Sequence, residues 1–540
     1  MTQQNIEEQA TAAPARRQPA PLRWLIMIQA SLGAGLTASL CAVVLMGILR
    51  LAAGIPTPVE LFGDYVLKHL PVNTFIRLLI TFGSNAKIAP LGLTLLAMIG
   101  VGTVLGLIYA PLAGVSYPAR GYRPRRREWL AAAVLAVVMA AAGIILFWDE
   151  LRQNFFGLSI NWAIVVSALA LLADFSLYGL VICLAYRTLL PKQAAQDAQT
   201  RRVQGRRQLL ARVGVTALGL GAAGGTLGLI QGFLSQESTY DGSQTFTTNG
   251  FTAPITPNSD HYVVTQNPSD PDPNIALWQL EVTGLVANPG SYTFDELQQL
   301  PSTSRAITLE CIANYIGGHL ISTAVWQGVT LQTLLEKHGG PLSGAKFAAL
   351  YSVDGYNTSL PLDEVLAVDA LLAWRMNGTA LPQRHGYPLR ALIPGRYGEE
   401  QPKWLTRVEL TDHFVGGLYS DQGWYNGPLH TISRIDRPVG NIPFSQGIEI
   451  GGIAFAGNRG IQKVEVSVDG GVTWQQAQLA PPLSQDSWVF WSYQWAPVTP
   501  GRYAIVARAT DGTGALQTDH KQGTVPDGAT GYPSVIVHLV

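Results

Sequence analysis

The sequence predicts three successive architectures: an all-α transmembrane bundle, a mixed α+β domain and an all-β immunoglobulin-like sandwich. Three observations predict them. Residues 24–235 are dominated by apolar runs, residues 261–433 mix short strand-like and short helical segments, and from about 434 strands and turns alone remain. The 540-residue chain carries 36 basic and 36 acidic side chains, so no global field draws nucleic acid or an acidic partner.

Five runs approach or exceed the roughly 20 apolar residues that a bilayer core requires. They lie at about 24–49, 88–112, 129–148, 161–186 and 209–234. The first is too long for a cleaved signal peptide and lacks a convincing cleavage site. Arg16, Arg17 and Arg23 precede it, and five arginines fill "ARGYRPRRRE" after the second run. Arg187, Lys192, Arg201, Arg202, Arg206 and Arg207 follow the fourth, whereas "DELRQN" after the third has one arginine against two acids. Cytoplasmic loops concentrate positive charge, so the N-terminus is expected inside and everything after residue 235 outside the cytoplasm. The expected divisions are a tail (1–20), a membrane region (21–235), a Ser/Thr/Gly/Pro-rich linker (236–260) and two folded domains (261–433 and 434–540).

Asp174, in "LLADFSLYG", falls mid-span, where an acid is either a proton or quinone group or is bonded within the bundle. His69, in the first loop, is the only histidine before residue 260. With no intramembrane histidine pair, no haem is expected.

Beyond the linker, "WQLEVTGLV" alternates like a strand, and "TFDELQQLP" reads as a short helix begun by a Thr cap and stopped by Pro. "VTLQTLLEKHGG" sets Leu331, Leu334 and Leu335 on one helical face and ends in a glycine stop. In the last domain Val464, Val466 and Val468 alternate inward, Asp469-Gly470-Gly471 makes a hairpin turn, and "WVFWSYQWAP" and "GRYAIVARATDGTG" supply further strands.

One residue stands apart. Of three cysteines, Cys41 and Cys183 lie in apolar runs, so Cys311 in "TLECIAN" has no partner in its own domain. That leaves a buried small hydrophobe, a redox thiol, a nucleophile or a metal ligand.

Several stretches together resemble the sulfite oxidase family of molybdopterin-dependent oxidoreductases: "TLECIAN", "AVWQGVTLQTLLEKHG", "SVDGYNTSLPL", "LAWRMNGTALPQRHGYPLRALIPGRYG" and "PKWLTRVEL". The tail "GNRGIQKVEVSVDGGVTW" resembles that family's dimerisation domain, and the likeness runs from about 260 to 540. It implies a molybdenum bound by a pterin dithiolene and by Cys311, the head of "CxxN". A soft thiolate suits that metal. It also implies pterin and phosphate contacts from His385, Arg390 and Lys403, an acidic contact from Asp354, and weaker candidates in Tyr262 and Asn267. The family's active-site tyrosine falls near Trp424 and Tyr425, and an anion-binding arginine at Arg459.

The resemblance frays at the substrate. Where sulfite oxidases carry an arginine five residues after the cysteine, this chain has Ile316. A less charged sulfur or nitrogen oxide, or another small organic oxide, is therefore expected as much as sulfite. The segment 205–225 resembles a twin-arginine export signal with Arg206-Arg207, a route suited to a domain that folds around its cofactor before export. The implied protein is a membrane-anchored oxygen-atom-transfer enzyme with its catalytic domain outside the cytoplasm. Its electron carrier would be a soluble cytochrome or a quinone, and residues 434–540 offer a homodimer interface. The competing reading is a non-catalytic membrane protein whose immunoglobulin-like ectodomain serves binding or assembly; it leaves residues 261–433 unexplained.

Overall fold

The computed structural model describes residues 20–71, 74, 88–193, 198–235, 250–265, 267 and 270–540. The expected tail, with Arg16 and Arg17, and most of the expected linker lie outside the described residues.

Among the described residues, six α-helices precede the first strand: α1 (Ala20–Ala53), α2 (Pro58–His69), α3 (Ile88–Ala113), α4 (Arg126–Leu146), α5 (Ile160–Leu189) and α6 (Ala198–Ser235). Five contain stretches long and apolar enough to cross a membrane: Pro21–Ala53, Gly92–Ala113, Arg126–Leu146, Ile160–Leu189 and Gly205–Gly228. These are the five runs seen in the sequence. Helix α2 is the addition. Thr57 caps it, Pro58 opens it and Glu60 closes a capping box, so His69 ends a helix rather than sitting in a loop.

The described chain forms two compact units. The first draws on Met1–Ile48, Leu95–Ile145 and Leu169–Ile230, and the second on Leu49–Thr94, Leu146–Ala168 and Gln231–Val540. In the first, Ala30, Ala34, Ala38 and Ala42 recur every fourth residue of α1 and are buried. A Cβ on Gly102 or Gly106 of α3 would lie 2.2 Å from Ser39 Oγ or 2.1 Å from Ser31 O, so small residues set the closest approach of α1 and α3. Arg187 meets Glu128 at 2.8 Å, both almost fully buried, and also donates to Gly121 O. Asp174 is buried, and its Oδ1 has no hydrogen-bond partner among the described residues.

The second unit holds two β-rich domains. The first has strands β1 (Gln279–Gly284), β2 (Gly290–Thr293), β3 (Thr303–Glu310), β4 (Ile321–Thr330), β5 (Phe347–Ser352), β6 (Asn357–Pro361), β7 (Leu371–Met376), β8 (Thr379–Ala380), β9 (Arg390–Leu392) and β10 (Leu405–Thr411). They form one sheet in the order β2-β1-β10-β5-β6 and another in the order β3-β4-β7-β8, with β9 also on β7. Parallel pairing of β1 with β10 ties the domain's two ends together. Short helices α7 (Phe294–Gln298), α8 (Leu331–Lys337) and α9 (Leu362–Ala367) lie between strands. Thr293 and Thr330 cap α7 and α8, and Leu331, Leu334 and Leu335 are buried, as their spacing predicts.

The last domain is a sandwich of β11 (Ile432–Arg437), β12 (Gly440–Ile442), β13 (Ile448–Phe455), β14 (Ile461–Ser467), β15 (Gln475–Gln476), β16 (Gln478–Leu479), β17 (Val489–Trp495), β18 (Gly501–Asp511) and β19 (Ser534–Leu539). Its sheets run β11-β13-β17-β16 and β12-β19-β18-β14-β15. Val464, Val466, Ile450, Trp491 and Ile505 fill the space between them. Asp469 turns the chain after β14 by accepting from the Val472 and Thr473 amides. Residues 250–260 already belong to this unit: Thr252 N donates to Asp436 and Thr256 N to Thr323 O.

Candidate functional site

Cys311 follows β3 directly, at the start of the loop leading to β4. Its amide donates to Leu320 O and its carbonyl accepts from Asn314 N, closing the loop at both ends. Asn314 then does two jobs: its Nδ2 donates to Glu310 Oε1 (3.0 Å), and its Oδ1 accepts from Leu320 N (3.0 Å). The asparagine of "CxxN" is thus the stitch that presents the cysteine.

The thiol is buried, which pushes it up to about 12, and the neighbouring Glu399 and Glu310 carboxyls push the same way. Without a cation or metal this sulfur stays protonated and inert. Burial raises the phenols of Tyr262 and Tyr419, which lie within electrostatic range of Cys311. Glu310 is itself raised to about 8 by burial, and burial together with Glu400 holds Glu399 well above the usual carboxylate range.

A second group converges nearby in sequence and fold. His385 ends a single turn after β8, Arg390 opens β9, and Lys403 precedes β10. Gly386 makes their approach possible: at φ +113° a Cβ there would lie 3.0 Å from Lys403 Cβ and 3.1 Å from Arg390 Cβ. Arg390 Nη1 donates to His385 O and its guanidinium lies 5.0 Å over the Trp326 ring. Its Nε has no partner among the described residues, and burial lowers it to about 10. His385 is driven down to about 3 by burial and by Arg390, Lys403 and Arg384, so it is neutral near pH 7. Its Nε2 meets Asn258 O at 2.9 Å. Lys403 donates to Arg384 O and sits 4.2 Å over Trp404. Trp404 is held at φ +51°, an uncommon conformation for a bulky residue, with its indole donating to Gln383 O.

Asp354 lies in the β5–β6 turn and accepts from Asn267 Nδ2 at 2.6 Å and from Tyr356 N. The predicted residues Asn267 and Asp354 therefore meet each other, and Lys403 lies within electrostatic range of Asp354. Trp424 is buried against Tyr419, with ring centroids 4.5 Å apart, and Tyr425 stacks on His430. Arg459 is engaged by Asp511 at 2.8 Å, and by Leu429 O and Thr431 Oγ1. Ile316 turns toward Gly531 of the sandwich.

Sequence reasoning passed over His261, Glu310, Glu399 and Tyr419. His261 is buried, packs edge-on to His385 at 5.1 Å, and its Nε2 has no partner among the described residues. It precedes Tyr262, so the segment "DHYVVTQN" did carry it. Glu310 immediately precedes Cys311 in "TLECIAN" and was legible there; only the folded chain brings Glu399 to the cysteine.

These residues suit a molybdenum-pterin group. Among the described residues no three His, Cys, Asp or Glu side chains cluster as a metal site, so a metal at Cys311 needs ligands that the group itself brings. The unmatched Arg390 Nε and His261 Nε2 are buried donors or acceptors of the kind a polar guest satisfies.

Comparison with known proteins agrees. Residues 267–419 match the oxidoreductase molybdopterin binding domain, and residues 433–525 the Mo-co oxidoreductase dimerisation domain. Nitrate reductase [NADH] 1 of Phaseolus vulgaris is 29% identical over 305 residues, 44% of this chain and 34% of that protein. Inducible nitrate reductase [NADH] 2 of Glycine max is 30% identical over 304 residues, with the same coverage of 44% and 34%. The chain thus spans about a third of the length of these curated relatives. Among solved structures, the sulfane dehydrogenase SoxCD of Paracoccus pantotrophus aligns with a TM-score of 0.48 and 22% identity, covering 57% of this chain and 91% of that one. Behind its apolar helices, this chain carries an oxidoreductase molybdopterin binding domain followed by a Mo-co oxidoreductase dimerisation domain.

Proposed function

We propose that this protein is a membrane-anchored molybdenum oxidoreductase that transfers an oxygen atom to or from a small, weakly charged sulfur or nitrogen oxide outside the cytoplasm. Cys311 would be the protein ligand to the metal. His385, Arg390 and Lys403 would hold the pterin and its phosphate, with Asp354, Asn267 and Tyr262 at the edge. The bound group supplies two-electron oxygen-atom exchange; the chain binds, orients and shields it. Arg390 offers a planar fork and Lys403 a point charge to phosphate, and neutral His385 can bond without adding charge.

The observation that carries the substrate class is the charge around Cys311. Glu310 and Glu399 are buried beside it, Ile316 stands where sulfite oxidases place arginine, and Arg459 is engaged by Asp511. Burial raises both carboxyls, so near neutrality they add no charge. A buried site whose neighbours among the described residues offer no free cation disfavours an anion such as sulfite or nitrate and accepts a neutral oxide. Trp424 and Tyr425 would bound the substrate's side of the site.

The grouping of connections supports the proposed orientation. The chain after the first, third and fifth spans contributes to one compact unit with the cofactor domain. The arginine-rich connections after the second and fourth spans do not, as expected for cytoplasmic loops. Arg206 and Arg207, exposed on α6, fit an export signal. The dimerisation domain supports a homodimer, and a quinone or a soluble cytochrome would carry the electrons.

The test is elemental analysis and substrate screening of the full chain, purified in detergent from a molybdopterin-producing host. About one molybdenum per chain is expected, lost or spectroscopically altered in Cys311→Ala. Turnover of neutral S-oxides or N-oxides should exceed that of sulfite and nitrate. Well-folded protein without molybdenum or pterin would overturn the enzyme reading, and a preference for anions would overturn the substrate class.

A further inference from the structure

The connection between α4 and α5 is seated on the cofactor domain. Asn154 N donates to Val353 O (2.8 Å), Asn274 N donates to Phe156 O (2.9 Å), and Gly157 packs against Trp278. This places Gln153 against the turn that carries Asp354. Gly355, at φ +79°, leaves room for it: a Cβ there would lie 3.2–3.3 Å from the Gln153 side chain. On its other side Gln153 Nε2 donates to Asp64 Oδ2 of α2 at 2.8 Å. Gln153 is 2% exposed, and its Oε1 has no hydrogen-bond partner among the described residues.

An acceptor buried without a donor is costly, and a carboxylic O–H is the donor that this cluster can supply. We propose that Asp64, Gln153 and Asp354 form a proton-holding site, in which the two carboxyl groups share one proton around the Gln153 amide. It would link the connections between spans to the acidic edge of the cofactor site.

The surrounding charges leave that proton unopposed. Asp64 faces Glu60 and Lys68 from its own helix, Gln153 from the α4–α5 connection and Asp354 from the cofactor domain. Glu60 is paired with Arg50 (3.1 Å), and Lys68 with the buried Glu150 (3.0 Å), so neither cation belongs to Asp64 alone. Asp354 faces Asn267, the Tyr356 amide and Lys403. Lost hydration, then Glu60 and Asp354, push Asp64 up to about 7, and burial raises Asp354 as well. Two such carboxyls titrate as a pair, one of them holding its proton near neutrality.

The site is tested on the full chain by infrared titration of the protonated carboxyl stretch between pH 5 and 9, first in cofactor-free protein. A band that disappears around the midpoint near 7 is expected, together with its loss in Asp64→Asn and an upward shift of its midpoint in Gln153→Ala, which removes the Nε2 donor that favours the Asp64 carboxylate. If Asp64→Asn retains native circular dichroism yet leaves the carboxyl titration unchanged, the proposal is wrong. The link to the cofactor rests on the function proposed above. In molybdenum-loaded protein, reduction with dithionite should raise the midpoint of the same band, since added negative charge favours the proton; an unmoved midpoint would refute the link. The cofactor-free titration is read whether or not the chain binds molybdenum, so the two failures are distinguishable.

Discussion

At Cys311 the chain spends several buried polar groups to hold one sulfur. Glu310 and Asn314 are both nearly inaccessible, and Asn314 alone bonds one oxygen of the Glu310 carboxyl and the Leu320 amide. Asn314→Ala removes both bonds and leaves their partners buried, so a loss of about 2–4 kcal/mol is expected in chemical unfolding of the full chain. An unchanged midpoint would mean that the loop closes without this side chain. His385 makes the second prediction at this scale. Its ordinary value is 6.5 and its folded value about 3. Between these limits the unfolded chain binds a proton that folded His385 refuses, so stability is complete above pH 6.5 and declines as pH falls toward 3. His385→Gln should flatten the fall in melting temperature over that window. His261, lowered by the same burial, leaves a residual slope.

Among the elements, the turn from β8 to β9 and the approach to β10 decide how His385, Arg390 and Lys403 cluster. Gly386 sits where any Cβ would press on both Arg390 and Lys403, in a backbone region that other residues rarely adopt. Gly386→Ala should cost about 1–3 kcal/mol and force Arg390 and Lys403 apart. The measurement is cofactor content alongside stability: the variant should lose molybdopterin even where it remains folded. Retained cofactor would show that the two cations do not need their present spacing. The strained Trp404 lies in the same stretch, between Lys403 and β10, and its carbonyl accepts from Val353 N. One short segment therefore joins the cationic cluster to the turn that bears Asp354.

The two domains of the second unit meet at the cysteine loop. Arg434 of β11 donates to Gly318 O in that loop and pairs with Asp436 at 2.7 Å, both side chains being almost fully buried. Thr308 N of β3 donates to Asp486 O, and Trp488 N donates back to Thr308 Oγ1. Arg434→Met should cost about 3–5 kcal/mol, because it strands the Asp436 carboxylate without its cation. It should also raise the reactivity of Cys311 toward a thiol reagent in cofactor-free protein. A stable variant with a thiol as protected as before would show that the sandwich does not brace the loop.

Much of this was legible along the chain. Apolar run length dictated the five spans, because a bilayer demands about 20 apolar residues in succession whatever their neighbours are. Thr caps, alternating valines and the Asp469-Gly470-Gly471 turn dictated α7, α8 and the sandwich strands, because those signals act over a few residues. Cys311, His385, Arg390 and Lys403 were legible through ordered local motifs. Helix α2 was legible too, through its Thr57-Pro58-x-Glu60 cap, but it was hidden in a mixed loop. Only the tertiary structure brought Glu399 to Cys311, engaged Arg459 with Asp511 and set Gln153 between Asp64 and Gly355. These encounters join residues tens to hundreds of positions apart. Their energies come from burial and charge, which depend on what surrounds a side chain in space rather than on what precedes it in sequence.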